Sequence, residues 1–274
     1  MIEPRSPLRR ALSRVFLAVV ALVWLGPYAW MALTSLRSLP EIIAAPAYPI
    51  PSSFQLGAYR EVLAAVPVAR YFASTVVMAA GIAALQILLA LPAGYALAKL
   101  RFVGRGWAFA MVMACLLIPA QVTFAPVFSM LGAVHLVNGF AALILPFGAS
   151  ALGTFLVRQA LLSVPDEIIE AARMDGASEA YIVYRLLAPI LRPTLASLFL
   201  FSFVLHYNDY FWPLVMTTDD RVRTLPLAIA LLREQGTGVR WHVVMAGNVV
   251  LSVPVLAVFA VAQRHILRAV TARA

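Results

Sequence analysis

Apolar runs of bilayer length recur along this chain, and they decide the solvent in which most of it must fold. The run YFASTVVMAAGIAALQILLALPAGYALA, Tyr71 to Ala98, carries no charged residue. About 20 apolar residues are enough to cross the hydrocarbon core as a helix. Composition extends the point to all 274 residues: 63% are hydrophobic, 12% are charged and mean hydropathy is +0.90, whereas a soluble domain has about 25% charged residues. The chain reads as an all-α integral membrane protein forming one domain. Six spans are expected, at about 15–34, 71–98, 107–131, 139–157, 188–212 and 243–263.

The first run, Val15 to Thr34, follows Arg5, Arg9, Arg10 and Arg14. A secretory leader has an apolar core of about 7–15 residues. This run is longer, and Trp24, Pro27, Tyr28 and Trp30 suit an interfacial helix end. It therefore reads as a retained anchor, and Arg9-Arg10 as a topology signal rather than a twin-arginine address. Pro92, Pro119, Pro126, Pro146 and Pro254 fall within the spans and predict kinks where neighbouring helices satisfy the freed carbonyls. Gly81, Gly94, Gly148, Gly153 and Gly247 predict close helix packing. Cys115, inside an apolar run, reads as a free, buried thiol. His135, His206, His242 and His265 are far apart and form no HExxH-like pair, so no metal site is drawn.

Orientation follows from the basic residues, which favour the cytoplasmic side. With the N-terminus inside, fourteen of the 21 Lys and Arg residues fall in cytoplasmic segments. Both termini are then cytoplasmic, as is the connector at about 158–187. Arg221, Arg223, Arg233 and Arg240 share the last outer loop, where an anionic cargo, an acidic partner face or simple solvation would each account for them. The net charge of +9 reflects topology and contact with anionic lipid. Basic residues spread along loop ends form no nucleic-acid patch.

The connector EIIEAARMDGASEAYIVYRLLAPILRP, Glu167 to Pro193, is the most polar stretch between two spans. Ser163 with Asp166 fits a capping box, Pro165 suits a first turn, and Asp166, Glu167 and Glu170 complement the helix dipole. A helix is expected from Val164 to Asp175, with Gly176 ending it in a left-handed cap and Ser178 starting another. Pro189 and Pro193 carry or bend that second helix into the fifth span. Ile168, Ala171, Ala172 and Asp175 share one face by spacing, leaving room for another surface to approach.

These residues resemble a family signature. Glu170-Ala171-Ala172, Gly176 six positions after the glutamate and Pro189 thirteen after the glycine look like the EAA loop of the membrane subunits of binding-protein-dependent ABC importers. Asp175, Ala177 and Pro193 extend the fit, while Leu186 and Ala188 stand where the family commonly has isoleucine and leucine. SLRSLPEIIAAP (Ser35 to Pro46) with Leu56, Ala58 and Tyr59, AGYALAKLRFVGRG (Ala93 to Gly106) and YNDYFWPL (Tyr207 to Leu214) resemble segments of the carbohydrate branch, the maltose-type short permease. Tyr207 replaces a tryptophan there. The resemblance implies a type I importer transmembrane domain whose helix Val164–Asp175 docks on an ATPase, with Gly176 as a pivot. It also implies a second permease subunit, two ATP-binding subunits, an extracytoplasmic solute-binding protein and a carbohydrate or related polyol as substrate.

This division of labour suits the chain itself. Its one lysine, Lys99, lies between Ala98 and Leu100, so no GxxxxGK[ST] loop can be drawn. The chain is read as non-catalytic and without a cofactor; ATP and magnesium belong to the partner ATPase. Polar residues inside lipid tend to face a bundle interior or a water-filled path. Tyr207, Asn208, Asp209, Gln121 and Asn248 are the candidates for the substrate path, and Gln86 is similar. For Gln86 and Asn248, a bond gluing two helices is an equal reading. The His206–Tyr210 cluster suits sugar hydroxyls and rings, yet aromatic residues also anchor helix ends at the interface. Two other classes are less well matched. An ion-coupled transporter would show an internal repeat and a mid-membrane carboxylate, and a membrane enzyme would place partners beside Ser74, Ser129, Ser150, Ser202 or Ser252. A phosphorylated polyol such as a glycerol phosphate ester stays open as cargo.

Overall fold

The computed structural model describes residues 7–48, 50–233 and 239–271, without the side chains of residues 7–11, 120, 121 and 258–271. Every regular element among the described residues is helical. In chain order they are α1 (Pro7–Thr34), α2 (Leu39–Ala44), α3 (Gly57–Ala65), α4 (Val68–Lys99), α5 (Arg105–Cys115), α6 (Ala120–Ala133) and α7 (Phe140–Ile144). Then follow α8 (Ala151–Leu162), α9 (Asp166–Met174), α10 (Glu179–Tyr181), α11 (Ala188–Ile190), α12 (Arg192–Tyr207), α13 (Phe211–Met216), α14 (Leu225–Leu232) and α15 (Trp241–Thr271). A 3₁₀ turn, Leu145–Phe147, extends α7, and a π-helical turn, Ile182–Leu187, joins α10 to α11.

Among the described residues, two helices are long and apolar enough to cross a membrane unaided, Leu12–Thr34 within α1 and Val68–Lys99. Two bent pairs add a further crossing each by length and composition: Phe140–Phe147 with α8, bent by 47°, and Glu179–Ile190 with α12, bent by 85°. The expected third span, 107–131, is cut at Leu116–Pro119, because proline lacks an N–H and disfavours helix in the residue before it. Pro119 accordingly stands extended at the head of α6, with φ −62° and ψ 134°. The fifth, 188–212, is cut twice: at Leu191, two residues ahead of Pro193, and at Asn208–Tyr210. The sixth lies within α15, which is longer at both ends.

The chain divides into two compact units, one made of the residues before Val68 with Ile229–Pro254, the other of Val68–Ala228 with the residues from Val255 onward. In the second, α4 is the axis, with α8 and α12 packed along it. A Cβ built on Gly94 would stand 2.6 Å from Val157 Cγ1 and 3.0 Å from the backbone nitrogen of Arg158, so only glycine lets α4 and α8 approach this closely. Around that contact lies a core of Leu91, Tyr95, Val157, Leu161, Ile169, Ile182, Leu187 and Leu198. Arg158 sets its guanidinium 4.0 Å over the Phe109 ring and donates from Nε to Leu97 O at 3.3 Å. Cys115 is exposed rather than buried, because α5 buries none of its residues within this chain.

Two of the prolines leave helical carbonyls without their usual partner four residues on, and distant side chains fill the vacancy. Pro92 cannot donate to Leu88 O, which instead accepts from Tyr184 Oη at 3.0 Å. Pro146 cannot donate to Ala142 O, which accepts from Trp212 Nε1 at 3.0 Å. Gln86 Nε2 reaches Phe147 O at 3.0 Å, where the chain leaves the 3₁₀ turn, and so joins α4 to the bent pair.

In the first unit α1 is almost wholly exposed, presenting Phe16, Leu22, Val23, Trp24 and Leu25 outward, and it needs lipid or another chain for cover. The segment after it is built on Arg37, 1% exposed, whose Nη2 donates to Glu41 O at 2.7 Å and Ala45 O at 2.9 Å, closing the C-terminus of α2. Glu41 accepts from Ser52 N at 2.8 Å, which holds its carboxyl below the usual carboxylate range. Arg240 pairs with Glu61 at 2.7 Å.

Deleting the Tyr184 hydroxyl tests the carbonyl argument. Tyr184→Phe is expected to lower stability by about 1–3 kcal/mol, the cost of a carbonyl left without a donor on the surface of a helix that lipid covers. Pro92→Ala supplies a backbone N–H to Leu88 O, so the loss should shrink in a Pro92→Ala background. Thermal unfolding of the four proteins in one detergent decides it, and an equal loss in both backgrounds would refute the substitution of one donor for another.

Candidate functional site

Two places in the Val68–Ala228 unit concentrate polar chemistry. The first is α9. Pro165 precedes it with φ −59° and ψ 140°, and Asp166 and Glu167 occupy its first turn while Arg173 stands in the last, each charge matched to the local end of the dipole. Its start is two residues later than the spacing predicts. Ser163 does not cap it, because its hydroxyl donates to Ala160 O at 2.8 Å as part of the end of α8. The far end is a Schellman motif: Ala177 N donates to Ala172 O and Gly176 N to Arg173 O, both at 3.0 Å, with Gly176 at φ +79°. Ser178 then caps α10, accepting from Tyr181 N at 3.3 Å.

Of the four residues expected on one open face, Ile168, Ala171 and Asp175 are exposed, as is Glu170. Ala172 is half-buried and turns inward beside Ile169, which is 3% exposed. Met174, not anticipated, is 85% exposed. Leu186 and Ala188 both pack against the core, and Pro189 is exposed at α11.

Four residues that the sequence reading passed over hold α9 in place. At its start, Lys99 Nζ donates to Val164 O and to Asp166 Oδ1, each at 2.5 Å, and this bond holds the Asp166 carboxyl below its usual range. At its end, Arg173 Nε donates to Glu179 Oε1 at 2.8 Å and Arg173 Nη2 to Tyr95 Oη at 2.9 Å, while Tyr95 Oη donates to Glu179 Oε2 at 2.5 Å. Arg173 first, then Tyr95, lowers the Glu179 pKa. With a depressed folded value, the stabilisation is complete above the unfolded value and is lost as pH falls through the folded one. Opposite charges placed symmetrically about Gly176, and Tyr95 and Lys99 four apart at the end of a span, were the available signals. A cleft of about 370 Å³ opens beside α9, lined by Lys99, Leu100, Arg101, Asp166, Ile169, Glu170 and Arg173.

The second place is a cavity of about 210 Å³ lined by Thr123, Val127, Pro146, Phe147, Asp209, Phe211 and Trp212. Asp209 Oδ1 accepts from Phe211 N at 3.0 Å and Trp212 N at 3.3 Å, opening α13. Phe147 and Trp212 meet edge to face, centroids 5.1 Å apart, and the His206 ring lies 4.7 Å from Phe147 on the buried side. Of the expected path residues, Asp209 alone among the described side chains lines this cavity. Tyr207 is 1% exposed and packs on Phe203; Asn208 is exposed and donates to Val204 O at 2.8 Å. Asn248 is half-buried in the other unit, and the Gln121 side chain lies outside the described residues. The aromatic wall came from residues read as interfacial or not singled out.

Residues 86–272 match the family model described as "Binding-protein-dependent transport system inner membrane component". The chain is 32% identical over 201 residues to the arabinooligosaccharides transport system permease protein AraQ of Halalkalibacterium halodurans, covering 73% of this chain and 72% of that one. It is 31% identical to the sn-glycerol-3-phosphate transport system permease protein UgpE of Pectobacterium atrosepticum over 98% of both chains. In fold it resembles a chain of a bacterial ABC transporter involved in the import of the acidic polysaccharide alginate, with a TM-score of 0.79 and 22% identity over 96% of this chain and 99% of that one. A helical membrane chain with a charged, well-capped connector, matched by the family model over more than half its length, belongs to the inner-membrane components of binding-protein-dependent ABC transport systems.

Proposed function

We propose that this permease subunit carries a carbohydrate or related polyol inward, driven through α9 by ATPase chains on the cytoplasmic side. In this reading the chain acts as one domain of six spans: α1, α4, α5 with α6, the bent pair ending in α8, the bent pair ending in α12, and α15. Both termini and the 158–187 connector are cytoplasmic. Glu170, Ala171 and Asp175 face the ATPase, Gly176 fixes the turn behind them and Pro189 starts the return to the membrane. A second permease subunit completes the pathway, two ATP-binding subunits bind and hydrolyse ATP, and an extracytoplasmic binding protein delivers substrate. Movement of the docked helices then alternates access across the bundle.

The observation that carries the cargo class is the cavity at Asp209. Aromatic walls offer faces to sugar rings, and a carboxylate accepts hydroxyl protons. Both bonds to Asp209 fall on Oδ1, which leaves Oδ2 for a substrate hydroxyl. A phosphate ester is the second reading, favoured by the glycerol phosphate permease matched over 98% of both chains. Among the described residues the cavity lining holds a carboxylate and no basic residue, which opposes a dianion. Three of the four outer-loop arginines are also paired with carboxylates: Arg223 with Asp220 at 2.6 Å, Arg221 with Asp219 at 3.3 Å and Arg240 with Glu61.

Two substitutions separate the parts of this proposal. Asp209→Asn keeps an acceptor for the α13 amides while removing the charge, so the complex should assemble normally. Its apparent KM for a sugar or polyol should rise about fivefold, the difference between a charged and a neutral acceptor; uptake assays in vesicles measure it, and an unchanged KM removes Asp209 from the path. Glu170→Lys should insert normally but lose the ATPase on purification, because the reversed charge lies on the exposed face of α9. Full retention of the ATPase at moderate salt would place docking elsewhere.

A further inference from the structure

We infer that Tyr95, Arg173 and Glu179 form a clamp across Gly176 that makes α9 and the end of α4 move as one body. These three residues thereby position the coupling helix and set how much ATP-driven movement reaches the bundle. The inference rests on α9 being the docking element.

Nothing stands within 4 Å of the place where a Cβ on Gly176 would be, so no packing at the glycine itself fixes the angle of the turn. Hydrogen bonds do. Arg173 and Glu179 lie three positions either side of Gly176, and their bonds to each other and to Tyr95 Oη close a ring of three contacts. The ion pair alone is half-exposed, with side-chain exposures of 42% and 54%, and a pair of that kind is weakly held in water. Tyr95, only 3% exposed, supplies the fixed point: its ring sits in the core of α4 and α8 and aims its hydroxyl at both partners. Four residues further along α4, Lys99, with a side chain 8% exposed, holds the other end of α9 through Val164 O and Asp166. Ile169 fills the core between the two tethers. Rotation of α9 about Gly176 would break one tether or the other. Gly176 therefore sets the angle of the corner and the clamp keeps it, so a push on α9 is delivered to α4 instead of being absorbed by a pivot.

The test is uptake per ATP hydrolysed by the complete transporter in proteoliposomes with its binding protein. Tyr95→Phe keeps the ring and its packing and deletes only the hydroxyl. Tyr95→Phe and Glu179→Arg, tested singly, should each lower the ratio about tenfold at unchanged assembly and ATPase rate, the factor that matches one charge-assisted hydrogen bond; Arg173→Glu, which lies on the docking helix itself, should lower the ratio in the complexes that retain the ATPase. Arg173→Glu combined with Glu179→Arg rebuilds the ring with its charges exchanged and should restore the ratio. An unchanged ratio in the single variants, or a double variant as poor as either single, overturns the clamp while leaving the importer reading intact. A wild-type complex that contains no ATPase chain overturns the docking assignment and the clamp together.

Discussion

The close approach of α4 to α8 at Gly94 is the contact from which the rest of the Val68–Ala228 unit is organised. Without a side chain at Gly94, Val157 and the Arg158 backbone lie directly against α4. That brings Lys99 beside Val164 at the start of α9 and Tyr95 beside Arg173 and Glu179 at its end, so both tethers of α9 follow from one helix crossing. In lipid, apolar burial does not draw helices together, and close van der Waals contact takes its place. A small residue at the crossing is therefore worth more here than a large apolar one.

Much of this architecture was legible in the residues. Long charge-free runs located α1 and α4, and the Gly176 and Ser178 pair marked where α9 ends and α10 begins, because a left-handed glycine and a hydroxyl cap are local features. The start of α9 was misplaced for a reason of the same scale: Ser163 had a nearer acceptor in Ala160 O. Breaks within the spans were harder to place. A hydropathy run continues across Pro119 or Leu191 regardless, since lipid requires both halves to be apolar. For the Tyr95–Arg173–Glu179 ring the residues offered only the opposite charges about Gly176, because Tyr95 lies 84 and 78 positions from its partners and meets them through the helix crossing. Asp209 was found from its type, whereas Phe147 and Trp212 gain their place in the cavity only from the bend at Pro146 and the break before α13.

Those breaks also explain how a cavity can open between apolar helices. Opening a helix in lipid exposes backbone carbonyls, each costing several kcal/mol if left unpaired. Here the carbonyl freed by Pro146 belongs to Ala142, and its donor is Trp212, the same residue whose ring walls the cavity. Phe147, another wall residue, gives its carbonyl to Gln86. Asp209 in turn holds the first amides of α13, the helix that carries Trp212. The groups that shape the cavity are thus the groups that make its broken backbone tolerable. A substitution at Trp212 would remove wall and donor at once, and the resulting loss of uptake would not by itself identify a substrate contact. Asp209 is different: the oxygen of an amide in its place still caps α13, so charge and architecture separate at that position.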